Sequence, residues 1–213
     1  MTWYLTLALN LTLLYALVRF LLLYKEVRYI KFIWWAVSSF FYFLTSASWI
    51  VLDFNLIDPQ TFERLNLQGW TQVSAVSFVL VALSIENWED RPLVARYPYS
   101  FNFSALILIP AYILLYQTIY LQEVMIGIYE GGAILVALLL FGLFATKMFE
   151  FIYSFLGIVL VLLGFVVYWF PAQAILGFPW VWKIITVVGI LIFVSGYQFV
   201  VKQVQLQNAE LED

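Results

Sequence analysis

Apolar residues fill seven long stretches of this chain, and short polar or charged segments separate one stretch from the next. The stretches cover residues 3–24, 32–52, 70–88, 101–121, 124–146, 149–170 and 178–200. A helix of about twenty apolar residues crosses a hydrocarbon core of roughly 30 Å. The pattern therefore predicts an all-α polytopic membrane protein with seven transmembrane helices at 1–200. Residues 201–213 are predicted as a cytoplasmic helical tail, and a tight turn is predicted at Gln122–Val124.

The composition strengthens this prediction and narrows the chemistry. Hydrophobic residues make up 65% of the chain and charged residues 11%, whereas apolar residues make up roughly 45–50% of soluble domains. The sequence has no cysteine and no histidine, which removes thiolate nucleophiles and the commonest metal ligands. We therefore expect no enzyme and no cofactor. A net charge of −3 gives no reason to expect a nucleic-acid partner.

The basic residues predict the orientation. With the N-terminus outside, the inner side carries Arg19, Lys25, Arg28, Lys31, Arg91, Arg96, Lys147 and Lys202, and the outer side keeps Arg64 and Lys183. Cytoplasmic loops of membrane proteins are enriched in Lys and Arg. The sequence therefore predicts an outside N-terminus and a cytoplasmic C-terminus. The lipid bilayer is the predicted environment, in a multi-pass protein of the cell membrane, specifically a bacterial inner membrane.

Two ionisable residues lie inside predicted spans, where such groups are costly and are candidates for function. Glu130 is six residues into the fifth stretch and Lys183 five residues into the seventh, which places both about 9 Å deep at 1.5 Å per residue. We predict that they pair in an outer-facing polar cavity for a small ligand. The predicted lining is Glu130, Lys183, Gln117, Asn10, Ser48, Trp49, Gln72 and Trp180. In the alternative interpretation, Lys183 extends to the headgroups, Glu130 is hydrated, and the hydroxyl groups bond their own helices.

Two segments on the inner side are candidate docking surfaces. The first is the charged loop with Glu89, Asp90, Arg91 and Arg96, which either docks a cytoplasmic partner or is a solvated loop whose charges pair with each other. The second is the tail, where Tyr197, Val201, Val204, Asn208 and Leu211 follow at spacings of four, three, four and three. That spacing is typical of a coiled-coil seam, and an asparagine at one core position favours a dimer. The alternatives are a homodimer through this helix, a membrane or cytoplasmic protein partner, or a solvated helix end.

The final stretch "QLQNAELED" resembles the linker that follows the last span of multi-pass bacterial sensor proteins of the histidine-kinase type. The resemblance covers about the last dozen residues together with the predicted topology. It implies a seven-span input module that passes a signal to the cytoplasm. Proteins of that kind continue into a catalytic domain, whereas this sequence ends at Asp213.

Three functions follow from these observations. The first is a sensory or regulatory module that binds a small ligand in the outer cavity and signals through the last helix. The second is a small transporter or channel, although the predicted midplane is mostly Leu, Ile, Val and Phe and offers few polar groups to a permeating solute. The third is an accessory subunit of a larger membrane complex, for which a midplane without charge is well suited.

Overall fold

A computed structural model describes residues 3–54, 56–58, 66–86, 104–115, 119–169 and 180–212. All regular structure in these ranges is helical, which confirms the all-α prediction for this part of the chain. The helices are α1 (Trp3–Val27), α2 (Lys31–Asp53), α3 (Leu67–Glu86), α4 (Leu108–Leu114), α5 (Ile119–Lys147), α6 (Ile152–Trp169) and α7 (Val181–Glu212). Short 3-10 segments, Ser104–Ile107 and Phe149–Phe151, lead into α4 and α6.

Six of these helices are long and apolar enough to cross a membrane. They contain the segments Trp3–Val27, Lys31–Leu52, Leu67–Ile85, Tyr120–Lys147, Phe149–Trp169 and Val181–Gln203. The fourth predicted stretch, 101–121, differs from the others because its described helical part is only Ser104–Leu114. Eleven helical residues rise about 17 Å, against roughly 30 Å for a hydrocarbon core.

The turn predicted at Gln122–Val124 is wrong, because α5 begins at Ile119 and continues through these residues. Gln122 is buried and has partners on neighbouring helices. Its amide nitrogen donates to the carbonyl oxygen of Tyr112 at 3.1 Å, and its amide oxygen accepts from Asn66 at 3.3 Å. A polar side chain satisfied in this way can remain inside a helix.

The chain divides into two compact units, of which the first is Met1–Ala133. Its first three helices are joined by hydrogen bonds between side chains. Asn10 of α1 donates to Ser46 of α2 at 2.9 Å, and Thr45 of α2 donates to Thr71 of α3 at 2.8 Å. In each pair a residue near the start of one helix bonds a residue near the end of the other. Helices α1 and α2 are therefore antiparallel, and so are α2 and α3.

Helices α4 and α5 pack against α3 around a small apolar core formed by Val73, Leu108, Tyr112 and Ile126. At its edge the Asn66 amide donates to the Tyr112 hydroxyl at 2.8 Å. Asn66 precedes α3, whereas Tyr112 lies near the end of α4, so these two helices are antiparallel. Asn66 also bonds Gln122 near the start of α5, and Gln72 bonds Glu130 farther along both helices, so α3 and α5 run parallel.

The second unit, Ile134–Asp213, has α6 and α7 packed antiparallel through glycines. A Cβ atom built on Gly157 would lie 2.8 Å from the Gly189 carbonyl oxygen, and one built on Gly189 would lie 2.9 Å from the Gly157 carbonyl oxygen. Such contacts require that neither position carry a side chain. Nearby, the Phe141 ring centroid lies 5.4 Å from that of Phe193 and 5.5 Å from that of Tyr197.

Candidate functional site

Three helices of the first unit contribute side chains to one polar cluster at Glu130. The Tyr42 hydroxyl of α2 donates to one carboxylate oxygen of Glu130 at 3.1 Å. The Gln72 amide of α3 donates to the other at 2.9 Å. Both oxygens of a half-buried carboxylate on α5 therefore accept a hydrogen bond from a different helix. We call Tyr42, Gln72 and Glu130 the carboxylate cluster.

Glu130 lies farther from the start of its helix than the sequence predicted. Because α5 begins at Ile119, Glu130 is eleven residues from the helix start, or about 16 Å along the axis at 1.5 Å per residue. The predicted boundary at residue 124 gave only about 9 Å by the same rise. An ionisable group far inside a membrane span is costly and is a candidate for function.

The energetics of the carboxylate cluster allow its partners to be exchanged only for other hydrogen-bond donors. A hydrogen bond to a charged group contributes about 1.5–3 kcal/mol, and a buried charge without such bonds is heavily penalised. A carboxylate has about four lone-pair sites for acceptance. A ligand that carries its own N–H or O–H donors can therefore bind Glu130 beside Tyr42 and Gln72, or replace one of them. In the described residues no group of three Asp and Glu side chains is placed to hold a metal ion.

Asn10 and Ser48, also predicted as ligand-binding residues, take part in contacts between and within helices. Asn10 is only 4% exposed, and its amide nitrogen donates to Ser46 and to the carbonyl oxygen of Thr6, each at 2.9 Å. Among the described residues its amide oxygen has no hydrogen-bond partner. Ser48 donates to the carbonyl oxygen of Thr45 at 2.6 Å, within its own helix.

The other predicted ligand-binding residues are distributed over both units. Trp49 is partly buried in α2, while Gln117 lies outside the described residues. Lys183 and Trp180 belong to the second unit, where the Lys183 ammonium nitrogen lies 5.5 Å from the Trp182 ring centroid. The predicted pairing of Glu130 with Lys183 stays a prediction.

The predicted docking residues also stay untested. The loop residues Glu89, Asp90, Arg91 and Arg96 lie outside the described part of the chain. Val204, Asn208 and Leu211 lie in the continuous helix α7, but their side chains are outside the described set.

Tyr42 was missed from the sequence, although a signal for it exists. Ser38, Tyr42 and Thr45 follow at spacings of four and three, which places them on one face of α2. That face meets α3, because Ser38 donates to the Ala75 carbonyl oxygen at 3.0 Å and Thr45 donates to Thr71. A polar stripe on an otherwise apolar helix was therefore the sequence signal that could have identified Tyr42.

A groove of about 410 Å³ lies elsewhere in the first unit. Its walls include Leu80 and Ser84 of α3, Ser104 and Leu108 of the fourth segment, and Tyr129 of α5. None of the predicted ligand-binding residues that the structure describes lines this groove.

The chain matches no protein-family model, no curated protein and no solved structure. The resemblance of the C-terminal stretch to sensor linkers therefore stays a prediction.

Proposed function

We propose that the chain is a sensory or regulatory module embedded in a membrane. It has seven spans, with the N-terminus outside and the C-terminus in the cytoplasm. A small ligand with hydrogen-bond donors binds at the carboxylate cluster, and α7 carries the change to the tail. The observation that carries the proposal is the junction of three helices at one half-buried carboxylate.

The seven-span topology is supported by the direction of α3 and α5. Asn66 and Gln72 of the α3 region bond Gln122 and Glu130 of α5 in the same order along both helices. Parallel helices that each cross a membrane begin on the same side of it. This direction supports a fourth crossing between α3 and α5, and we propose that α4 is part of it.

The signalling step depends on differences between two states. A ligand shifts a conformational equilibrium only as far as its affinities for the two states differ. Ligand donors at Glu130 compete with Tyr42 and Gln72, and loss of either bond weakens the contact of α2 or α3 with α5. The predicted Glu130–Lys183 pair would add α7 to the same exchange.

The proposal is tested by native mass spectrometry of the protein extracted gently with its surrounding lipid. We expect a small extra mass on the wild-type protein and its loss in Glu130→Gln, which keeps the shape but removes the charge. Glu123→Gln is the matched control, because Glu123 is an exposed carboxylate two turns earlier on the same helix. Equal ligand retention in the two variants would contradict the proposal. Defined foreign subunits in place of a small ligand would favour the accessory-subunit function.

A small transporter or channel is the second candidate, and the distance of Glu130 from the start of α5 is the observation that favours it. A carboxylate about 16 Å from the start of its helix approaches the midplane of a roughly 30 Å core. Carboxylates at that depth are found in ion and proton pathways. Ion or proton flux into liposomes that Glu130→Gln abolishes and Glu123→Gln leaves unchanged would establish this function instead.

A further inference from the structure

The connection between α1 and α2 is a short tip with a dense positive charge. Residues 25–31 contain Lys25, Arg28 and Lys31 against the single acid Glu26, a formal charge of +2 from three cations and one anion. Lys25 and Arg28 are exposed, and Lys31 is partly exposed. We call residues 25–31 the basic tip.

Arg28 occupies a backbone position that normally favours glycine. Its φ is 58°, and its amide donates to the Tyr24 carbonyl oxygen at 2.8 Å, which closes the last turn of α1. Helices commonly end with such a left-handed residue, and it is usually Gly because a Cβ atom is disfavoured there. A strained position held by a residue with a long charged side chain is a reason to look for a role of that side chain.

Aromatic rings hold two of the cations of the basic tip. The Arg28 guanidinium carbon lies 6.0 Å from the Tyr24 ring centroid, and the Lys31 ammonium nitrogen lies 5.2 Å from the Tyr29 centroid. Cation–π contacts of this length orient the charge without neutralising it. Tyr29 and Ile30, at the end of the tip, are 52% and 53% exposed.

We propose that the basic tip binds the phosphate of an anionic phospholipid headgroup. Lys25, Arg28 and Lys31 supply the positive charge, while Tyr29 and Ile30 enter the boundary between headgroups and acyl chains. The proposal rests on the membrane embedding argued above and is independent of the sensory role.

The combination of charge and apolar exposure selects a lipid over a free phosphate. Free phosphate needs the cations alone, whereas a lipid also offers an apolar surface to Tyr29 and Ile30. Basic residues beside a membrane span are attracted to anionic lipids, and aromatic residues lie at the level of the headgroups. The predicted orientation places the basic tip at the cytoplasmic leaflet.

The proposal is tested by titrating phosphatidylglycerol into the full chain in detergent and measuring lipid-bound species by native mass spectrometry. Phosphatidylcholine is the neutral lipid control, and inorganic phosphate is the headgroup control. Arg28→Gly is the sharpest variant, because it removes a cation where the backbone favours glycine. The triple variant Lys25→Gln, Arg28→Gly, Lys31→Gln removes all three cations and leaves the tip with the single negative charge of Glu26. The double variant Lys147→Gln, Lys202→Gln removes two other cations of the predicted inner side.

We expect phosphatidylglycerol to bind more tightly than phosphatidylcholine, with affinity falling roughly fivefold for each cation removed from the tip. The Lys147 and Lys202 double variant keeps the wild-type affinity. Equal loss in that variant would overturn the proposal in favour of a general charge effect, and an unchanged triple variant would also overturn it. Inorganic phosphate that competes as well as the lipid would show a free-anion site. None of these results depends on the ligand of the carboxylate cluster.

Discussion

Replacing Gly157 with alanine inserts a methyl group into a backbone-to-backbone contact between α6 and α7. The new Cβ atom would lie 2.7 Å from the Phe193 Cα atom and 2.8 Å from the Gly189 carbonyl oxygen, and it would also overlap the Phe193 amide nitrogen. Carbon atoms in ordinary contact are about 3.5–4.0 Å apart. Because the opposing atoms belong to the backbone, no change of rotamer can relieve the overlap, and the two helices have to separate.

The size of the effect follows from that separation. A gap of roughly 0.5–1 Å forfeits a quarter to a half of the attraction between each pair of atoms along the seam. Overpacking of this kind costs about 1–3 kcal/mol, and the better helix propensity of alanine returns up to about 1 kcal/mol. The free energy of unfolding should therefore fall by about 1–2 kcal/mol, which lowers Tm by about 2–8 °C in a chain of this size.

The assay is thermal unfolding of the full chain in one detergent, followed by tryptophan fluorescence. Gly132→Ala is the matched control, because a Cβ atom on Gly132 meets nothing within 4 Å. We expect Gly132→Ala to melt at or slightly above the wild-type temperature, since alanine favours the helix. If Gly157→Ala melts at the same temperature as Gly132→Ala, the reasoning about the close approach of α6 and α7 is refuted.

Three further substitutions test other contacts by the same thermal measurement. Tyr42→Phe removes one donor from the carboxylate cluster and should cost about 1.5–3 kcal/mol, while Tyr129→Phe, at an exposed tyrosine of α5, should change little. Gly69→Ala places a Cβ atom on the Tyr112 hydroxyl and should lower the free energy of unfolding by about 1–3 kcal/mol. Adding Tyr112→Phe should recover part of that loss, and no recovery would contradict the contact. Arg28→Gly relieves a left-handed backbone and should raise the free energy of unfolding by about 0.5–1 kcal/mol, so a lower Tm would count against the strain.

The helix boundaries were predictable wherever charged residues flank an apolar run. Lys25 and Arg28 lie at the end of α1, and Lys147 ends α5, so hydropathy and charge together place these boundaries. The boundary between α4 and α5 was not predictable in this way. Gln122 looks like a turn residue in the sequence, but its partners Asn66 and Tyr112 lie 56 and 10 residues away along the chain. Only the tertiary contacts show that the helix can continue through it.

Most residues of the candidate site could be predicted from the sequence, but their hydrogen-bond partners could not. Glu130 and Gln72 stand out as polar residues in apolar stretches, and the structure brings them together. Asn10 stands out equally, yet its amide nitrogen bonds Ser46 of the adjacent helix. A polar residue in a span has the same sequence signature whether it faces a ligand or links two helices. Tyr42 does not stand out by its residue type, and only its place in the polar stripe with Ser38 and Thr45 indicates it.

The two units differ in what holds their described helices together, and this difference bears on where a ligand can act. The first unit has side-chain hydrogen bonds between helices, such as those of Asn10, Thr45 and Glu130. In membranes a hydrogen bond between helices contributes on average about 0.6 kcal/mol, and a bond to a charged group such as Glu130 contributes about 1.5–3 kcal/mol. A ligand that supplies its own donors can replace such a bond at low net cost. The α6–α7 seam of the second unit instead depends on backbone contact at Gly157 and Gly189. Close-packed contacts of that kind shift between discrete arrangements and do not deform continuously. Under the proposed function, a ligand of modest affinity is therefore expected to change the population of states through the hydrogen bonds of the first unit.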